Sequence, residues 1–329
     1  MRKIYIGMGV LVLATVAGFA FFGHEIGINN GSSAGPLIIT DKNAIAGIFT
    51  GQPCENATAR PLAVMLSSDP EARPLSGIGQ ADLVFEMPVV GAETVTRMMA
   101  VFQCSKPKAI GSIRSSRLDF IPLVRGLGAI YAHFGGEHEA LAELNKGVTD
   151  NIDGLIYDGT TYYRTSAPRP HNSLTSYDLL MTRADGLGYT LTLTPAEYYK
   201  HTDRAVVSKG TEAPPDLYAG VFGVSWTYDA AHNTYQRVRG GKPEIDKNTG
   251  NQVTASNIII MHTTYSVINI NYNRVKTVGT GAATVYQNGI AISGTWKKTS
   301  DTSKLLFLDT NGKEILLVPG TTWVEITTQ

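Results

Sequence analysis

The chain has 329 residues, enough for about two domains, and its 43% hydrophobic and 17% charged residues are the balance of an ordinary globular protein. Lys and Arg together number 28, as do Asp and Glu, for a formal charge of zero. Nucleic-acid binders carry a basic excess, so a polyanion-coating role is excluded and no nucleic-acid partner is expected.

Arg2 and Lys3 precede an apolar run from Ile4 to Gly23. About 20 such residues are what a membrane-spanning helix needs, whereas a signal-peptide core is shorter. Positive charge on the short flank predicts that end inside and the bulk of the chain extracytoplasmic. Residues 1–28 therefore read as a single-pass anchor in the cytoplasmic membrane. A cleaved signal is the alternative, with Gly18-Phe19-Ala20 as a poor processing site. Residues 29–57 read as a linker, since NNGSSAGP at 29–36 has no hydrophobic period. Cys54 and Cys104 are the only cysteines. In an exported protein such a pair reads as a disulfide, with two buried free thiols as the alternative.

From Arg60 onward, short apolar runs alternate with turn residues: LAVML at 62–66, ADLVFEM at 81–87, TVTRMMAVFQ at 94–103 and AIYAHF at 129–134. These read as strands, some buried on both faces. Helical patterns lie around 119–127, 137–145 and 176–185, and Thr194-Pro195-Ala196-Glu197 has capping-box spacing. After about Thr202 the chain turns to strands and tight turns. VSWTYD at 224–229 and NTYQRVRG at 233–240 flank a short turn, and SNIIIMHTTY at 256–265 is a long apolar strand. Asn288-Gly289 and Asn311-Gly312 each separate two apolar runs, as hairpin turns do. The fold class is α+β, with an N-terminal mixed α/β domain over 58–205 and a mostly antiparallel β domain over 206–329.

The segment Ile110 to Arg117, IGSIRSSR, sets Arg114 and Arg117 beside Ser115 and Ser116 just before a helix start. With Asp119 as N-cap, Pro122 falls at the third helical position. Open amides at a helix start, with arginine forks beside them, favour a bound anion. Pairing of both arginines with core-edge carboxylates or cap carbonyls is the structural alternative.

His133 ends a strand and precedes Phe134, Gly135 and Gly136. Glycines at a strand end permit close approach, which suits a site, while a core histidine is the alternative. His171 and Asn172 follow Ala-Pro-Arg-Pro, whose prolines stiffen the presentation of Arg169. These three residues read as loop-borne site residues, or as polar decoration of a surface turn. Glu86 and Arg97 lie on two candidate neighbouring strands. A structural cross-strand ion pair is the preferred reading over a general base and a substrate clamp. The chain lacks the Gly-x-Ser-x-Gly elbow, the His-Glu-x-x-His helix, the phosphate loop and the dinucleotide fingerprint, and no cofactor or metal is expected.

Taken together, RPLAVML (60–66), ARPLSGIGQADLVFE (72–86), TRMMAVF (96–102), IGSIRSSR (110–117), AIYAHFGG (129–136) and PHNSLTS (170–176) resemble the YerB-like bacterial lipoproteins, a two-part domain of unknown function. VSWTYD, NTYQRV, TVGTGAATVYQNG (277–289), GTWKK (294–298) and LLVPGTTWVEI (316–326) resemble the second part. The resemblance covers roughly residues 58–329. It implies a membrane-tethered envelope protein, adds weight to a site at His171 and supplies no activity. The family is tethered through an acylated cysteine, whereas here an apolar run stands in its place; Pro122 also departs from the plainer helix start expected of the family.

The sequence thus points to a membrane-tethered protein of the cell envelope that binds an anionic glycopolymer through Arg114, Arg117 and His171. A hydrolase or transferase with His133 or His171 as base, and Ser115, Ser116 or a water as nucleophile, is the first alternative. An interaction scaffold, docking a partner through exposed aromatic groups or a strand edge of the C-terminal β domain, is the second, and exposure of Trp296 and Trp323 discriminates it.

Overall fold

An apolar run whose every residue is buried makes a strand covered on both faces, and Leu62–Ser67 (β1) is such a run. The next two strands, Leu83–Val90 (β2) and Val95–Phe102 (β3), are almost as deeply enclosed. The computed structural model describes residues 45–91, 95–194, 198–202, 209–269 and 272–328, all within one compact unit spanning 40–329.

These strands join Ile130–His133 (β4) and Asn151–Asp153 (β5) with strands from the second half of the chain in one ten-stranded sheet. The later contributors are Asn257–Thr263 (β8), Gly279–Gln287 (β11), Ile290–Lys298 (β12), Leu306–Asp309 (β13) and Thr322–Thr328 (β14). Across the sheet the order is β13-β12-β11-β8-β14-β2-β3-β1-β4-β5. The expected boundary at 205–206 is therefore not a break in the sheet, because β14 pairs in parallel with β8 on one side and β2 on the other. The architecture is α+β, with a mixed sheet beside smaller antiparallel ones.

One face of the sheet packs on the helix Ile121–Leu127 (α1), through Phe120, Leu123, Val124 and Leu127. The other packs on Tyr177–Gly186 (α4) and on a small sheet built around the hairpin of Val224–Asp229 (β6) and Thr234–Arg239 (β7). His138–Asn145 (α2) follows β4, and the single turn Gly154–Tyr157 (α3) follows β5. A further antiparallel pair, Tyr265–Asn269 (β9) with Tyr272–Val275 (β10), leaves Val267 and Ile268 exposed.

The Asn288-Gly289 turn forms, with both residues at positive φ (56° and 66°). At Asn311-Gly312 only the first flank becomes a strand, and the returning run is held by an isolated bridge from Leu308 to Glu314. The helix expected from Asp119 starts later. Leu118–Phe120 is a 3-10 turn, α1 begins at Ile121, and Asp119 accepts the Val275 amide at 2.8 Å instead of capping α1. The capping box at 194–197 and the apolar run at 4–23 lie outside the described residues. Among the described residues no helix is long and apolar enough to cross a membrane.

Strand direction decides which residues meet at the sheet edge. β1, β4 and β5 run parallel, while β3 is antiparallel to β1 and β2. The carboxyl ends of β1, β2, β4 and β5 thus share one edge of the sheet with the amino end of β3. Such an edge is where open sheets with helices place their ligands.

Candidate anion-binding site

At that edge the 114–117 segment threads between the end of β1 and the turn after β4. The Arg114 amide donates to the Met65 carbonyl at 2.9 Å, and the Ser116 amide to the Gly135 carbonyl at 2.9 Å. The Phe134 and Glu137 amides return hydrogen bonds to the carbonyls of Arg114 and Ser116. Gly136 permits this approach, since a Cβ there would lie 3.1 Å from the Ser116 Cβ. The backbone of the segment is thereby committed to the scaffold. Even the Leu118 amide, at the start of the 3-10 turn, donates to Glu137 Oε1 at 2.8 Å. The Arg114, Ser116 and Leu118 amides are accordingly closed to an anion, and side chains face the edge beside them.

Those side chains form a cation cluster with too few counter-charges. Arg114 reaches Asp69, at the end of β1, at 3.2 Å, and Ser67 Oγ donates to the same carboxylate at 2.7 Å. His171 Nδ1 lies 3.8 Å from Asp69 and has no hydrogen-bond partner. Burial alone would raise the Asp69 carboxyl, but the Ser67 hydrogen bond and the charges of Arg97, Arg114 and His171 outweigh it and hold it below its ordinary value. Arg97, which stands opposite Ser67 on β3, is only 3% exposed. Its Nε and Nη1 have no hydrogen-bond partner, and it forms no ion pair among the described residues. Burial, with Arg114 and Arg117 adding to it, pushes the Arg97 guanidinium down to about 9. Arg114 is likewise lowered, by burial first and then by Arg117.

Arg117 completes the group. Its guanidinium lies 5.0 Å from the ring centre of Tyr272, a cation–π contact, and its Nε is unpartnered. Ser116 Oγ and the Tyr131 hydroxyl are also buried, and the Tyr131 hydroxyl neighbours Ser116 and Arg117. Burial raises the Tyr131 pKa, so it remains a neutral donor. An arginine with no partner in a dry setting is costly, and so many orphaned donors at one place fit an acceptor-rich anion.

Other residues singled out from the sequence fall elsewhere. His133 is fully buried, with Nδ1 2.8 Å from the Gly135 carbonyl and Nε2 3.2 Å from Asn151 Oδ1. Both ring nitrogens are engaged in holding the β4 turn, so the core reading describes its geometry. Asn172 is buried and accepts from Arg164 at 2.9 Å, with Arg164 forked on Asp158. Ser115 is half-buried and Arg169 exposed.

The pairing of Glu86 with Arg97 does not form. Met87 is the residue opposite Arg97, and side chains alternate faces along a strand, so Glu86 points to the other side of the sheet. There it accepts from Arg237, Arg239 and Thr96. Arg237 also binds Glu244 and Glu325, and lies 3.8 Å from the ring centre of Trp323. Trp226, Trp296 and Trp323 are all buried, so none is available for docking a partner.

Asp69, Tyr131 and Tyr272 carry no local signal that marks them for the site. A charge inside an otherwise apolar strand, as at Arg97 in TVTRMMAVF, is the one available sign of a buried site. Cys54 and Cys104 are disulfide-bonded, with their Cα atoms 5.2 Å apart. A separate surface cavity of about 370 Å³ lies beside the 118–122 segment. Its arginines are already paired, Arg274 with Asp119 and Glu137 and Arg125 with Asp301, so it lacks the charge imbalance of the Arg97 cluster.

The family described as "Protein of unknown function (DUF3048)" matches this chain twice, its N-terminal domain over residues 49–190 and its C-terminal domain over 217–324. The chain is 31% identical over 278 residues to "Putative lipoprotein YerB" of Bacillus subtilis (strain 168), a match covering 81% of each. The crystal structure of the YerB protein from Bacillus subtilis superposes with a TM-score of 0.76 at 29% identity, over 87% of this chain and 97% of that one.

Proposed function

The chain belongs to the DUF3048 family of proteins of unknown function, and from that footing we propose that it is a membrane-associated protein of the extracytoplasmic cell envelope that binds an anionic envelope component at the Arg97–Arg114–Arg117 cluster. Membrane association follows from likeness to a protein named as a lipoprotein; the apolar run at 4–23 would be the tether in this chain, holding the bulk of it outside the cytoplasmic membrane. The observation that carries binding is Arg97, a guanidinium buried to 3% exposure with unpartnered nitrogens beside two further arginines. Removing such a charge from water without a counter-charge costs several kcal/mol, roughly, and a bound phosphate or carboxylate on a glycopolymer would offset that cost.

The test is calorimetric titration of the full-length protein in detergent with teichoic-acid and peptidoglycan fragments. Saturable binding that is lost in Arg114→Ala supports the reading, and absence of such binding ends it.

An enzyme acting on the same material is the second reading. It is favoured by His171, whose unpartnered Nδ1 lies 3.8 Å from Asp69. Asp69 would orient the imidazole, the histidine would take a proton from Ser116 or a water, and the arginines would stabilise developing negative charge. Turnover of a phosphodiester or glycan that vanishes in His171→Ala would establish it, and turnover unchanged by that substitution would remove it.

A further inference from the structure

The unmatched donors at the cluster say more than that the ligand is negative. Arg97 Nε and Nη1, Arg114 Nε and Arg117 Nε lack acceptors, and Ser116 Oγ and the Tyr131 hydroxyl lie together beside Arg117. They come from β3, β4 and the 114–117 segment. Of the nearby carboxylates, Glu137 is taken by the Leu118 amide and Arg274, and Asp69 already receives Ser67 and Arg114, so it leaves the other donors unserved. Three guanidiniums against Asp69 leave an excess of two positive charges.

A carboxylate brings one charge on two oxygens in a plane, which neither balances the excess nor reaches donors arriving from several elements. A phosphodiester brings one charge on two free oxygens and falls short in the same way. A terminal phosphoryl group brings three acceptor oxygens arranged tetrahedrally and about −1.5 to −2 charges at pH 7. Arginine forks and hydroxyl donors suit those oxygens.

We infer that the ligand is a terminal phosphoryl group, the dianion of a phosphate monoester or of the end of a diphosphate, seated on Arg97, Arg114 and Arg117 with Ser116 and Tyr131 as neutral donors. This rests on the anion-binding reading and narrows it to one class of ligand. Arg97 sets the selectivity: buried, without an ion pair of its own, and facing only the Asp69 charge that Arg114 already engages, it rewards the second negative charge of the ligand. Gly136 serves the site by admitting Ser116 to the β4 turn.

The experiment uses full-length protein in detergent, titrated calorimetrically with methyl phosphate, methyl sulfate and acetate. Methyl sulfate matches the shape of methyl phosphate but carries one charge at any working pH. Methyl phosphate is expected to bind at least about tenfold tighter than methyl sulfate at pH 7.5. That preference should disappear at pH 5, where phosphate monoesters, with a second pKa near 6, become monoanions. It should also disappear in Arg97→Met, and in Arg117→Met should the first variant fail to fold.

Equal Arg97-dependent binding of methyl sulfate or acetate at pH 7.5 overturns the phosphoryl inference while leaving the anion-binding reading intact. Absence of binding by all three overturns both. The phosphoryl group could reach the site free or on a lipid. The same protein reconstituted in phosphatidylcholine vesicles, with and without phosphatidic acid, separates these sources: loss of the methyl phosphate signal only with phosphatidic acid marks a lipid headgroup, and an unchanged signal marks a soluble ligand.

Discussion

Met87 stands directly opposite Arg97 in the antiparallel β2–β3 pair, while Glu86 stands opposite Met98. With a side-chain period of two, this offset of one residue sends the two charges to opposite faces of the sheet. Glu86 meets Arg237 and Arg239 in the core, and Arg97 is left among arginines.

Arg97→Met should therefore stabilise the unliganded protein while removing its ligand site. Replacing a buried uncompensated charge by an apolar side chain of similar length is expected to raise stability by about 1–4 kcal/mol. The thermal midpoint of the full-length variant reads this, and a lowered midpoint would show that the guanidinium is satisfied in the folded state. Sites that carry strain for function commonly show this trade.

Glu86→Gln should have the opposite effect. Arg237 and Arg239 are fully buried and both donate to Glu86, so the substitution leaves cations with one fewer carboxylate among Trp226 and Trp323. Breaking a buried ion network from one side costs about 3–5 kcal/mol. A shift in denaturant midpoint worth less than about 1 kcal/mol would mean that Glu244 and Glu325 already balance both arginines.

Stability should fall as pH rises towards about 6, in part because of Asp82. Burial pushes its carboxyl up to about 6, although the Gln103 and Cys104 amides that it accepts act the other way. Below about pH 4 the group is protonated folded or unfolded and contributes nothing adverse. Between about pH 4 and 6 the unfolded chain has released the proton that the folded chain retains, so stability drops by on the order of 2–3 kcal/mol. Asp82→Asn should flatten the thermal-midpoint profile over that window. Asp119, raised to about 6 chiefly by burial, should supply a residual slope of the same sign. An unchanged profile in the Asn variant would show that Asp82 titrates normally.

Cys104→Ser should weaken the fold. The bond joins residues separated by 50 positions and ties the 46–54 segment to the end of β3. Opening such a loop costs about 2–5 kcal/mol. Urea midpoints of variant and parent, compared under non-reducing conditions, measure the loss, and coincident midpoints would contradict it.

Elements are legible where one local signal suffices. Leu62 to Leu66 and Thr96 to Phe102 read as doubly buried strands because nothing polar interrupts them except Thr96 and Arg97. Asn288-Gly289 reads as a hairpin because positive φ at successive residues favours that pair. The start of α1 is misplaced by local pattern because Asp119 has the chemistry of an N-cap, yet its carboxylate is drawn to Val275 and Arg274 more than 150 residues away. Arg114 and Arg117 are visible as a pair in IGSIRSSR, but Glu137, twenty residues on, takes the Leu118 amide at the turn that follows them.

The α+β class, most strands and helices, and the concentration of cations near residue 114 are readable from the chain alone. These follow from hydrophobic period and turn chemistry, which act over a few neighbours. Folding in three dimensions was needed to insert β14 between β8 and β2, to bring Arg97 and Tyr131 to Arg114 and Arg117, and to give Glu86 to a core network. Strand order, register and long-range charge pairing depend on which distant surfaces bury each other, and a pattern with a period of two residues carries no record of that choice.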